Sequence, residues 1–258
     1  MKTGILLRSA AASLGLLVAC GCAMDRYKHP ATSPPREVLP PPAPTTPPRE
    51  SDLLARAAAQ PVAALEGEGW EALFDGRTLR GWRVIDFVGG GKVEVVRGLI
   101  VLGAGDPFTG IVYTNPPPRS NYEIALDAMR LSGSDFFCGL TFPVRDSHCS
   151  LIVGGWGGSV VGLSNVDGLD ASENETTQFI DFQTGRWYRI RLRVTEHKIE
   201  AWIEQKKVVN LTTTGRKISL RFGDIEKCVP LGISSWMTGA ALREIKIRRL
   251  TAPDTPPE

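Results

Sequence analysis

Tyr188, Ile190, Leu192 and Val194 alternate with Arg189, Arg191 and Arg193; after four polar residues, Ile199, Ala201 and Ile203 alternate with Glu200, Trp202 and Glu204. A period of two marks strands with one buried face. A turn at Glu196-His197 pairs Val194 with Ile199, Leu192 with Ala201 and Ile190 with Ile203 on the apolar face. The same register sets Arg193 opposite Glu200, Arg191 opposite Trp202 and Arg189 opposite Glu204. A slip of one residue would break both faces. Residues 92–96 and 99–102 flank Arg97-Gly98, a hairpin signal. Tyr122, Ile124, Leu126 and Ala128 alternate, residues 136–142 and 148–153 bracket a turn from Pro143 to Ser147, and residues 241–247 close the series. No long amphipathic helix is legible after residue 66, so the predicted fold class is all-β, a two-sheet antiparallel sandwich over residues 67–252.

The first 66 residues follow different rules. Lys2 and Arg8 precede an apolar run closed by Leu14, Leu16, Leu17 and Val18. That run is shorter than the ~20 residues a membrane span needs. This is the layout of a secretory signal over residues 1–19. Leu17-Val18-Ala19-Cys20 resembles the bacterial lipobox, which makes Cys20 the expected lipidation site, with Cys22 a second candidate. Acyl chains hold a protein at a membrane at ~0.8 kcal/mol per buried CH₂. Gly21 follows the cysteine, and the lack of Asp there favours the outer membrane, facing the periplasm or the cell surface. Proline recurs from Pro30 to Pro48, so residues 20–50 are expected to be a disordered, extended tether. Residues 51–66 read as a short peripheral helix or connector with Ser51 as N-cap, and residues 253–258 as a disordered tail.

Charge narrows the partners. The chain has 30 basic and 28 acidic residues, and removing Lys2 and Arg8 leaves a formally neutral protein, so no nucleic-acid partner is expected. Beyond the N-terminal segment the cysteines are Cys138, Cys149 and Cys228. An oxidising exterior permits a bridge between Cys138 and Cys149; small buried thiols are the alternative.

The segment Gly69-Trp70-Glu71-Ala72-Leu73-Phe74-Asp75-Gly76-Arg77-Thr78-Leu79-Arg80-Gly81-Trp82 resembles the opening of the 3-keto-disaccharide hydrolase domain family. Gly185-Arg186-Trp187-Tyr188-Arg189-Ile190 with Ile199-Glu200-Ala201-Trp202-Ile203 resembles its late hairpin, and Leu242 to Leu250 its end. The resemblance implies a concanavalin A-like jelly roll and extracytoplasmic action on glycosides oxidised at C3. A ketone at C3 acidifies the C2 proton, so a base can remove it while the C1 oxygen leaves. The chain departs from the family where polar groups are usual, with Phe137-Cys138-Gly139, Cys149-Ser150-Leu151-Ile152-Val153 and Ser234-Ser235-Trp236-Met237.

Residues 146–185 contain no Lys or Arg, whereas residues 186–227 contain eleven. Candidates for acid–base chemistry are Asp135, His148 and Glu173; for sugar contact, Arg145, Trp156, Asn165, Asn174 and Trp236. Asp167, Asp170 and Glu175 offer oxygen ligands for a divalent cation such as calcium. Alternatively the acidic segment is solvated and neutralises Arg189, Arg191 and Arg193. Trp82 and Trp187 are expected to pack, Trp202 to stack on arginine, and His197 to face solvent. The leading expectation is a membrane-tethered hydrolase or lyase of 3-keto-glycosides with a carbohydrate ligand. Its alternatives are a non-catalytic glycan-binding module and a structural envelope lipoprotein.

Overall fold

The computed structural model describes residues 50–251. The expected signal peptide, Cys20, Cys22, the proline-rich stretch to residue 49 and the tail lie outside the described residues. A helix, α1 (Glu50–Ala59), comes first, and the strands begin with β1 (Glu71–Ala72), β2 (Trp82–Val84), β3 (Val93–Val96), β4 (Leu99–Leu102) and β5 (Phe108–Tyr113). Then follow β6 (Tyr122–Ser132), β7 (Cys138–Val144), β8 (Ser147–Gly155), β9 (Val160–Ser164) and β10 (Gln178–Phe179). The last are β11 (Trp187–Val194), β12 (Lys198–Ile203), β13 (Lys206–Thr212), β14 (Gly232–Trp236) and β15 (Gly239–Arg249), with a 3-10 turn at Asp224–Cys228 before β14.

They form two antiparallel sheets. An eight-stranded sheet runs β13-β12-β11-β6-β15-β4-β3, with β1 added on β15; a seven-stranded sheet runs β10-β9-β8-β7-β14-β5-β2. The β11–β12 register is the one the alternation predicts, from Val194 opposite Ile199 to Ile190 opposite Ile203. Arg97 and Gly98 both take positive φ between β3 and β4, as a tight hairpin turn requires. The turn between β7 and β8 is tighter than expected, because Pro143 still pairs with His148 inside the ladder. Alternate residues of β6 and β11 (Ile124, Leu126, Ile190, Leu192) meet Leu140, Phe142, Leu151 and Leu163 of the other sheet in one buried core. Trp82 closes one edge and donates its indole N–H to the carbonyl of Leu73 at 2.7 Å. Asp75, between them in sequence, accepts the N–H groups of Arg77 and Thr78, both at 2.7 Å. The opening signature is thus a side-chain-held turn leading into a buried indole.

Two expectations need correction. First, α1 begins at Glu50 among the described residues, so Ser51 lies in its first turn rather than capping it. Nor is it peripheral: Leu54 and Ala57 are buried with Met129, Leu131 and Trp187 on the outer face of the eight-stranded sheet. Second, the arginines of β11 are neutralised by β6, not by the acidic segment. Glu123, fully buried, accepts from Arg193 and Arg248, each at 2.7 Å, and Asp127 pairs with Arg189 and Arg243. Residues 146–185 include β8, β9 and β10. Cys138, Cys149 and Cys228 are all free and buried, with Val153 facing Cys138 and Phe142 facing Cys149 across the ladder.

Candidate functional site

On β8, Cys149, Leu151 and Val153 enter the inter-sheet core, so Ser150 and Ile152 lie on the opposite, outer face of the seven-stranded sheet. Ser164 faces Ser150 across β8–β9, and Thr141 faces it across β7–β8 with the two hydroxyls 2.8 Å apart. On the same face Phe108 of β5 meets Trp236 of β14 edge-on, ring centres 4.7 Å apart, and Phe136 stands 6.1 Å from Phe108. A cavity of about 460 Å³ opens here. Its floor is Ser150, Ile152, Ser164, Phe136, Trp236 and Phe108, while Arg221, Phe222, Asp224 and Ile225 form a wall. Asp135, Trp156 and Pro107 complete the rim.

The rim is braced from beneath. Arg130, at the inward-facing end of β6, is buried and donates to the carbonyls of Asp135 at 3.2 Å, Gly158 at 3.0 Å and Gly154 at 3.4 Å. Burial pulls its pKa below the ordinary guanidinium value. Its guanidinium therefore holds together the loop bearing Asp135 and the turn bearing Trp156, a residue at φ 48°. The Asp135 carboxylate caps the N–H of Phe136 at 2.7 Å and of Gly157 at 3.1 Å. On the opposite wall, Asp170 accepts from the hydroxyl of Ser164 at 3.0 Å and from Arg221 at 3.2 Å, orienting two lining residues without lining the cavity itself. Asp224 pairs with Lys227 at 2.7 Å.

Of the residues singled out from sequence, Asp135, Trp156 and Trp236 come together here. The others do not. His148 lies on β8 outside the lining; its Nε2 is buried with no hydrogen-bond partner, and burial, reinforced by the charge of Arg119, lowers its pKa. Glu173 is exposed outside the cavity. Arg145 makes the β7–β8 turn at φ 53°, its backbone bonded to Arg119. Asn165 follows β9, and its amide donates to the carbonyl of Gly168 at 3.1 Å. Asn174 is a buried hub, donating to the carbonyls of Leu163, Leu169 and Asp170 and accepting from Thr176. Its hydrogen bonds fold the segment and leave none for a sugar.

The carboxylates expected as cation ligands are held by arginines. Asp167 and Glu175 share Arg216, which lowers both carboxyls, Asp167 being lowered first by the Lys217 N–H; Asp170 faces Arg221. Among the described residues, no three His, Cys, Asp or Glu side chains gather as a ligand set. Sequence reasoning missed Phe108, Phe136, Ser150, Ser164 and the wall from Arg221 to Ile225. The alternation on β8 gave a signal for Ser150, because Cys149, Leu151 and Val153 leave it on the face away from the core.

A two-sheet jelly roll with a pocket on the outer face of one sheet defines the class. The chain belongs to the 3-keto-alpha-glucoside-1,2-lyase-like domain family, whose model matches residues 69–248. The fold is similar to that of a Bacillus licheniformis beta-glucanase, at 9% identity and TM-score 0.48 over 72% of this chain and 100% of that one. It is also similar to domain 4 of an extracellular arabinanase from Geobacillus stearothermophilus, in complex with arabinotriose, at 13% identity and TM-score 0.46 over 72% and 94%. A carbohydrate binding module, CBM66 from Bacillus subtilis, matches at 11% identity and TM-score 0.43 over 65% and 95%. No curated protein matches the chain.

Proposed function

We propose that the pocket binds a glycoside and that the chain is a glycoside-binding member of its family, retaining its ligand rather than cleaving it. The observation that carries this is the company of Trp156 and Trp236 with Ser150 and Ser164 around one cavity. The indole of Trp156 can take the C–H face of a sugar while the hydroxyls take its edge, with Trp236 bordering the same cavity. Retention is supported by the state of the ionisable groups. Asp135 is engaged by two backbone N–H groups, Asp224 by Lys227, and His148 stands outside the lining.

Cleavage of a 3-keto-glycoside is the alternative that the family match favours. In it, Asp224 would take the C2 proton made acidic by the C3 ketone and Arg221 would stabilise the enolate; its electron pair would then form C1=C2 as the C1–O bond breaks, and the protonated Asp224 would return its proton to the leaving oxygen. Leu17-Val18-Ala19-Cys20 and the prolines behind it support a cell-envelope setting on a lipid-anchored tether for either activity.

Incubation with 3-keto-trehalose, 3-keto-lactose and their parent sugars, with and without EDTA, separates the two. Equilibrium dialysis reports retention, and chromatography reports released monosaccharide. Retention without release is expected. Release establishes the cleavage alternative, and neither retention nor release overturns both.

A further inference from the structure

The floor of the pocket changes character in the order of its strands. Across β9-β8-β7-β14-β5 it presents Ser164, then Ser150 and Ile152, then Phe136, then Trp236, then Phe108. Phe136 precedes β7, and its ring lies over Gly139: a Cβ there would come within 2.9 Å of the ring. Glycine on β7 therefore lets an aromatic surface continue from β14 to β8. Four strand spacings at ~4.8 Å make the floor ~19 Å long, more than one sugar ring covers.

The two ends offer different chemistry. Over β9 and β8 lie two buried hydroxyls, Ser150 bonded to Thr141 and Ser164 donating to Asp170, each oxygen keeping acceptor capacity, and the exposed guanidinium of Arg221. Over β14 and β5 the edge-on pair Trp236–Phe108 meets Phe136, and Ile225 packs in the same apolar cluster. A hydroxylated ring buried at that end would lose hydrogen bonds to water without replacement. The apolar character continues outwards. Phe222, at the rim, is 91% exposed, the most exposed large apolar side chain among the described residues.

We infer that the ligand is a glycoside with an apolar aglycone, its sugar over Ser150 and Ser164 and its aglycone over Trp236, Phe136 and Phe108. This rests on the glycoside-binding function proposed above and names its ligand class.

The test is calorimetric titration of the purified full chain with methyl and phenyl D-glucosides, both anomers of each, and with phenol. The phenyl glucoside is expected to bind about tenfold more tightly than the methyl glucoside, the upper range for one aromatic contact. Trp236→Ala is expected to bring the two to within about twofold of each other, on the same scale. Should that variant not fold, saturation-transfer NMR on the native protein reports the same contact, with phenyl protons receiving more aromatic saturation than sugar protons. Equal affinity for methyl and phenyl glucosides overturns the aglycone inference and leaves glycoside binding standing. Phenol binding as tightly as phenyl glucoside overturns the sugar half, and no binding of any glucoside overturns glycoside binding itself.

Discussion

The carboxylate of Asp135 accepts the backbone N–H of Gly157 at 3.1 Å, and so ties the loop entering β7 to the turn that carries Trp156. Trp156 is 41% exposed and held at φ 48°. Its position depends on that bond and on Arg130 beneath, which grips carbonyls on both sides.

Asp135→Ala is accordingly expected to loosen the turn rather than unfold the protein. Hydrogen bonds to a charged group contribute ~1.5–3 kcal/mol, and partial exposure places this one near the lower end. Glycoside affinity should fall roughly tenfold, with faster quenching of Trp156 emission by iodide. Unchanged quenching in the variant would show that something else fixes the indole.

Glu123 is the anchor of the buried charges, at 0% exposure, with arginines from β11 and β15 converging on it. Glu123→Gln keeps the shape and removes the buried charge that Arg193 and Arg248 share. Removing one member of such a buried set costs about 3–5 kcal/mol. Urea denaturation should show a loss of that order; a change under 1 kcal/mol, the range of surface pairs, would contradict it.

His148 predicts an acid-sensitive fold. Burial holds its pKa below the ordinary 6.5, so the unfolded chain takes the proton first. Stability therefore falls as pH drops below 6.5 towards the folded value and is independent of this group above it. His148→Gln should flatten that part of the stability profile, while the same slope in both proteins would assign it elsewhere.

Burial pushes the thiols of Cys138, Cys149 and Cys228 up to about 12, which keeps them protonated at neutral pH. None is expected to react with iodoacetamide in the native protein, and all three should be labelled in urea. Native labelling of any of them, read by peptide mass spectrometry, would contradict their placement.

The strands were legible because their alternation answers to a single buried face. Val194 to Ile190 against Ile199 to Ile203 leaves one workable register, and the structure has it. The polar face was less legible. Arg189, Arg191 and Arg193 invite a search for acidic partners, but those partners sit on β6, some 60 to 70 residues earlier, where Glu123 and Asp127 read as the solvent side of an ordinary strand. The site divided the same way. Trp156 and Trp236 stood out as aromatics beside glycine or serine, whereas Asn174 and Asp167 looked like ligand groups and instead close loops through backbone bonds. Polar residues in a glycine-rich segment serve either purpose, and only the fold decides which. Phe108 and the wall from Arg221 to Ile225 carry no local mark, since strand order alone brings them to β8.

Trp156 and Trp236 border the cavity proposed to hold a glycoside. Calorimetric titration of the native protein with glucosides, beside a Trp156→Ala/Trp236→Ala double variant and a Phe179→Ala control on β10, outside the cavity, tests that proposal most directly. Saturable binding in the native protein and the control, lost in the double variant, is the predicted result. Binding that survives in the double variant, or no binding in the native protein, would contradict the proposal.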